Sequence, residues 1–117
     1  MSKSQWQRIY RHLSDAGFEV YSPGQHQGDC TSPYVVIKDE GAMRLTGLSS
    51  TQQLYDALCY VPSKQFSALE PFVASVKAAL KQMYPELIPT YQETESFLDD
   101  SIDGVMISVQ YRSSHKI

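Results

Sequence analysis

Between Val105 and Arg112 apolar and polar residues alternate without a break. Val105, Ile107, Val109 and Tyr111 fall on one side of an extended chain, and Met106, Ser108, Gln110 and Arg112 on the other. Successive side chains of a strand point to opposite faces, so this run predicts a strand in a sheet with one covered and one polar face. The sequence holds two elements able to cover it. Leu69, Phe72, Val73, Val76, Leu80 and Met83 recur at helical spacing while Ser75, Lys77, Lys81 and Gln82 fall opposite, predicting a helix over 68–83. Pro71 suits its first turn and Pro85 stops it. Trp6, Ile9, Tyr10 and Leu13 make a similar stripe, predicting a helix over 4–16 that Gly17 ends.

The remaining segments are shorter. Phe18–Tyr21 predicts a brief strand, and the polar stretch from Gly24 to Pro33 an exposed loop. The β-branched run Tyr34–Lys38 predicts a strand closed by a hairpin turn at Asp39-Glu40-Gly41. A third strand is expected to begin near Met43, break over 47–51, and continue through Leu54–Val61 until Pro62 ends it. Pro89–Phe97 predicts an extended edge segment, Asp99–Gly104 a turn, and Ser113–Ile117 a frayed tail. The expected fold is one α+β domain over 1–117, a two-layer sandwich. In it an antiparallel sheet of three to five strands carries both amphipathic helices on one face.

A chain of 117 residues can build one core without metal or disulfide staples. No run approaches the roughly 20 apolar residues of a membrane helix, and the polar start predicts no signal peptide. The expected location is therefore the cytosol, where Cys30 and Cys59 stay thiols. A net charge of −3 speaks against a nucleic-acid binder, whose surface is normally basic. The acidity is local: from Gln82 to Tyr111 there are six carboxylates (Glu86, Glu93, Glu95, Asp99, Asp100 and Asp103) and no Lys or Arg.

Catalytic and binding chemistry finds little footing. His26, Asp29 and Cys30 form the one cluster with a nucleophile and a base, but neighbours in a flexible loop are not pre-organised and nothing nearby would lower the thiol pKa. Cys59 lies in a predicted strand and reads as a small core hydrophobe. The cysteines and histidines lack the paired spacing of zinc sites. Asp99, Asp100 and Asp103 lack the alternation of a calcium loop. The glycines match no phosphate-binding fingerprint. No catalytic, cofactor or metal residue is assigned. What remains is surface. Of eight tyrosines, Tyr34, Tyr60, Tyr91 and Tyr111 are candidate interface aromatics, because tyrosine offers an apolar body with a polar tip. Glu93, Glu95, Asp99, Asp100 and Asp103 form the candidate acidic segment.

The strand Leu58-Cys59-Tyr60-Val61-Pro62 leading to the helix Leu69–Met83 is followed by Pro85-Glu86-Leu87-Ile88-Pro89-Thr90 and Phe97-Leu98-Asp99-Asp100. With the closing strand Ser108-Val109-Gln110-Tyr111-Arg112, this order resembles the head–tail completion proteins of tailed bacteriophages and prophages, including tail terminators. The resemblance covers nearly the whole chain as pattern and short fragments. It implies a non-enzymatic virion-assembly protein without cofactor, cytoplasmic during assembly and then part of the virion. It implies a homo-oligomeric ring, a hexamer favoured, that meets the tail tube or the head connector. It implies no membrane association and no specific nucleic-acid binding. The acidic segment would then lie at the lumen, where negative charge keeps DNA from sticking, or at a subunit boundary. Two other classes stay open: a small ligand-binding or enzyme domain built on the 24–33 loop, and a regulatory module that docks on a partner protein.

Overall fold

The computed structural model describes residues 5–25, 28–44 and 50–116. The order is α1 (Gln5–Asp15), β1 (Val20–Tyr21), β2 (Tyr34–Arg44), β3 (Ser50–Pro62), a 3-10 segment (Ser63–Ala68), α2 (Leu69–Lys81), β4 (Ile88–Glu93), β5 (Phe97–Asp99) and β6 (Gly104–Lys116). The architecture is the expected α+β one: a single open sheet carrying both helices. The sheet has six strands, one more than the three to five expected, in the order β1-β2-β3-β6-β4, with β5 paired farther along β6, and it is mixed rather than wholly antiparallel. Every pairing is antiparallel except that of β1, which runs parallel to β2 at Val20↔Val35 and Tyr21↔Val36.

The two 3.6-residue stripes do what their spacing requires. Ile9 and Leu13 of α1, with Leu69, Val73, Val76 and Leu80 of α2, are buried against Val35, Ile37, Tyr55, Ala57, Cys59 and Val61. The odd-numbered residues Val105 to Tyr111 complete that floor. Polar contacts pin the helices where their backbones approach. Trp6 Nε1 donates to the Ile37 carbonyl at 2.7 Å, and His12 Nε2 lies 2.7 Å from the Ala79 carbonyl oxygen. Arg8 pairs with Glu86, to which Gln5 also donates at 3.1 Å.

Length explains the most unusual feature. β3 and β6 each have 13 residues, which at about 3.3 Å per residue span roughly 43 Å. The molecule measures 47 × 29 × 24 Å. Helices of 11 and 13 residues reach only about 16–20 Å at 1.5 Å per residue. The far half of the sheet therefore projects beyond the helix layer as a three-stranded arm of β2, β3 and β6, paired as Gly41–Arg44 with Thr51–Leu54 and Ser50–Gln53 with Ser113–Lys116.

Three sequence expectations are corrected here. Asp39-Glu40-Gly41 is a bulge inside β2, not a hairpin turn, because the register shifts between Asp39 and Gly41 and the strand continues to Arg44. Gly41 at φ 97° and the Asp39 side chain that accepts its N–H at 2.8 Å serve a bulge as well as they would a turn. Met43 accordingly belongs to β2, opposite Gln52, and the third strand starts at Ser50. Ser113–Lys116 is not frayed but paired with β3, and the predicted break at 47–51 falls largely on 45–49, outside the described residues.

Candidate functional site

The helix-free face of the sheet is not uniformly polar. At its β1 end Tyr34 stacks on Tyr60 with ring centroids 4.8 Å apart, and Tyr21 meets Tyr34 edge-on at 5.4 Å. The segment before β2 folds over this cluster. The Cys30 N–H donates to the Ile102 carbonyl at 2.6 Å, and a side chain at Gly104 would come within 2.9 Å of the Cys30 Cβ. Cys30 is therefore buried, 4% exposed, rather than displayed on a loop. That contact joins residues more than 70 apart in sequence, which local pattern could not announce. His26 lies outside the described residues and Asp29 is exposed.

The thiols are poorly suited to nucleophilic chemistry. Burial, with Asp103 adding to it, pushes the Cys30 thiol up to about 11. Burial pushes Cys59 up to about 12, its sheet position being fully enclosed. Thiolate is the reactive form, so raised values disfavour reaction. Both cysteines should resist alkylation at pH 8 in the folded chain and react once it is denatured, as intact mass after iodoacetamide will report. Cys30→Ser and Cys59→Ala should retain the native fold, Cys59→Ala at a stability cost of about 1–2 kcal/mol read from its urea midpoint. Among the described residues no group of three His, Cys, Asp or Glu side chains is placed to hold a metal. No helix among them is long and apolar enough to cross a membrane.

The exposed chemistry gathers along the opposite edge of the sheet. β4 pairs with β6 at Ile88↔Arg112 and Pro89↔Tyr111, then shifts register before Glu93↔Val109. The irregularity puts Tyr91 at φ 64°, a left-handed conformation that a bulky residue rarely adopts, and leaves its ring 89% exposed. Between β4 and α2 runs a groove of about 780 Å³ floored by Leu80, Leu87, Val109 and Tyr111 and rimmed by Tyr84 and Tyr91. Tyr84 is 65% exposed. Farther along the same edge, β5 displays Phe97 and Leu98, 57% and 55% exposed.

The acidic residues follow this edge. Glu93 pairs with Lys77 at 2.6 Å, and Glu95 and Asp100 are exposed. Asp99 accepts from the Ser101 N–H at 3.1 Å and its hydroxyl at 2.5 Å. Asp103, at φ 52°, accepts the Ser63 N–H on its carbonyl at 3.0 Å and the Ser63 hydroxyl on its carboxylate, tying the end of β3 to the start of β6.

Of the four candidate interface tyrosines, only Tyr91 stands free at the surface. Tyr60 is half-buried in the tyrosine cluster, while Tyr34 and Tyr111 lie inside the chain. Burial raises the phenol of Tyr111 to about 12 and, with Cys30 and Tyr60 adding to it, that of Tyr34 further still. Tyr84, Phe97 and Leu98 were missed: Tyr84 sits just past the helical stripe, and the short β5 carries no pattern of its own.

One carboxyl pair marks the base of the arm. Asp56 hydrogen-bonds Glu40, which pairs with Lys38 at 3.2 Å. Burial first, then Glu40, raises the Asp56 carboxyl from 3.8 to about 6, while the Glu40 carboxyl is lowered. A raised carboxyl means that the folded state holds this proton more tightly than the unfolded one. Stability from this group therefore falls as pH rises from about 4 through 6. Asp56→Asn should raise the melting temperature above pH 7 and lose that advantage below pH 4, as a thermal-melt series will show.

No family model matches the chain, and no curated protein sequence matches it significantly.

Proposed function

We propose that this chain is a non-enzymatic structural subunit of phage or prophage virion assembly, forming a ring that completes the tail or joins it to the head connector. The observation that carries the reading is the edge just described. Tyr84, Tyr91, Phe97 and Leu98 stand exposed along one margin of the sheet, interleaved with Glu95 and Asp100. Exposed aromatics beside charges are the composition of a protein-docking margin. A sheet edge is also where a folded chain most readily accepts another. In a ring through which DNA passes, the same carboxylates sit at a subunit boundary or face the lumen and repel the phosphate backbone. The proton-favouring thiols lend no support to an enzyme using the 24–33 segment.

The reading is tested by the content of tailed particles from cells carrying this gene. The chain should be present in several copies per particle, and its deletion should leave heads and tails unjoined or tails of irregular length. Its complete absence from virions and tail intermediates would overturn the proposal.

A further inference from the structure

The groove between β4 and α2 holds a polar group that nothing in the chain uses. Tyr111, on its floor, is only 4% exposed, yet its hydroxyl makes no hydrogen bond to another residue of the chain. Among the described residues no enclosed side-chain nitrogen or oxygen lacks a partner. The Tyr111 hydroxyl therefore opens onto free space, and the groove is the space that Tyr111 lines. A buried phenol normally finds a hydrogen-bond partner, and here that partner comes from outside the chain.

The walls limit what the partner can be. Leu80, Leu87 and Val109 are buried beside Tyr111, and Tyr84 and Tyr91 stand at the rim. At about 780 Å³ the groove falls within the roughly 300–1,000 Å³ of small-molecule sites, which combine an apolar lining with a few polar groups. Its charged lining residues are two lysines against one glutamate, a net charge of one positive. Glu93 is held by Lys77 at 2.6 Å, whereas Lys81 is exposed and makes no ion pair among the described residues. Nor does the end of α2 need the Lys81 ammonium. The N–H groups of Gln82, Met83 and Tyr84 already donate to the carbonyls of Ala79, Leu80 and Lys81.

We propose that this groove binds a small amphiphilic carboxylate. Its apolar body lies on Leu80, Leu87 and Val109, and its carboxylate accepts from the Tyr111 O–H and pairs with Lys81. A phenol and an ammonium both donate, so one anionic acceptor satisfies the two together, where an amine would meet Lys81 with like charge. The site needs no partner chain and so stands independently of the assembly reading.

The test is an amide-shift titration of the full chain with sodium octanoate at neutral pH. Saturable shifts should gather around Lys81, Leu87, Tyr91 and Tyr111, with a dissociation constant below about 1 mM. 1-Octanol, the same apolar body without the charge, should bind about threefold more weakly. Lys81→Gln should weaken octanoate about threefold and leave 1-octanol unchanged. Tyr111→Phe should weaken octanoate about tenfold, the loss of a hydrogen bond to a charged group. Both variants should keep the wild-type urea midpoint; if Tyr111→Phe unfolds, the Lys81→Gln comparison decides. No saturable shift, shifts centred on Tyr34 and Tyr60 instead, equal binding of 1-octanol, or an unaltered octanoate constant in either folded variant would each overturn the site. Groove shifts that grow with protein concentration in the absence of octanoate would assign the groove to a second copy and overturn it likewise.

Discussion

Leu13→Ala should lower the unfolding free energy by about 3 kcal/mol, the middle of the range for emptying a fully buried leucine site. Leu13 has no exposed surface and sits on the inner stripe of α1 with Ile9, against the sheet and α2. The site cannot collapse freely, because α1 is held in place by the Trp6 bond to the Ile37 carbonyl and the His12 contact with the Ala79 carbonyl. With a urea dependence of roughly 1.5 kcal/mol per molar, the midpoint should fall by about 2 M. For a domain whose whole stability is about 5–15 kcal/mol, that loss is large. Equilibrium urea unfolding followed by tryptophan fluorescence measures it directly, since Trp6 is the only tryptophan. A fall of less than about 1 kcal/mol would mean that α1 is not an integral part of the core.

The second large effect concerns the proposed docking margin. Tyr91→Asp combined with Phe97→Asp should leave the unfolding free energy within about 0.5 kcal/mol of the parent, because both residues are mostly in water and surface changes seldom cost more. Incorporation into particles should nonetheless fall at least tenfold. Hot spots concentrate in aromatic anchors, and two unpaired carboxylates buried at a contact cost far more than the area they displace. Tyr84→Ala should reduce incorporation less, because it leaves the apolar floor of the groove intact. Immunoblotting of purified particles against equal cellular protein gives the ratio. A folded double variant incorporated at the wild-type level would place the contact elsewhere.

How much of this was legible in the sequence differs by element, for physical reasons. Leu69–Met83 and Trp6–Leu13 bury one stripe each, so their 3.6-residue period states the structure outright. Val105–Tyr111 has one covered face, and its period of two does the same. The arm has no such signal. Ser50–Gln53 and Ser113–Lys116 are polar throughout, and their ladder is held by backbone pairing between distant segments, which leaves no mark on side-chain type. The bulge at Asp39–Gly41 borrows turn chemistry, and only the partner strand distinguishes the two uses. Tyrosine was the least informative residue at the candidate site. The same side chain finishes the core at Tyr111, stacks in a cluster at Tyr34 and Tyr60, and stands in solvent at Tyr91. The acidic segment was visible as charge, but its members' separate duties depend on positions across the fold: Glu93 pairs with Lys77, and Asp103 anchors Ser63.

The most direct test of the assembly reading is electron microscopy of tailed particles carrying this chain, with the density at the head-proximal end of the tail averaged under cyclic symmetry. The account predicts a closed ring, six-fold by preference, built from elongated subunits of about 47 × 29 × 24 Å. The β4–β5 edge should lie at a subunit boundary or at the lumen. A single copy per particle, or no density for this chain at any tail or connector position, would contradict it.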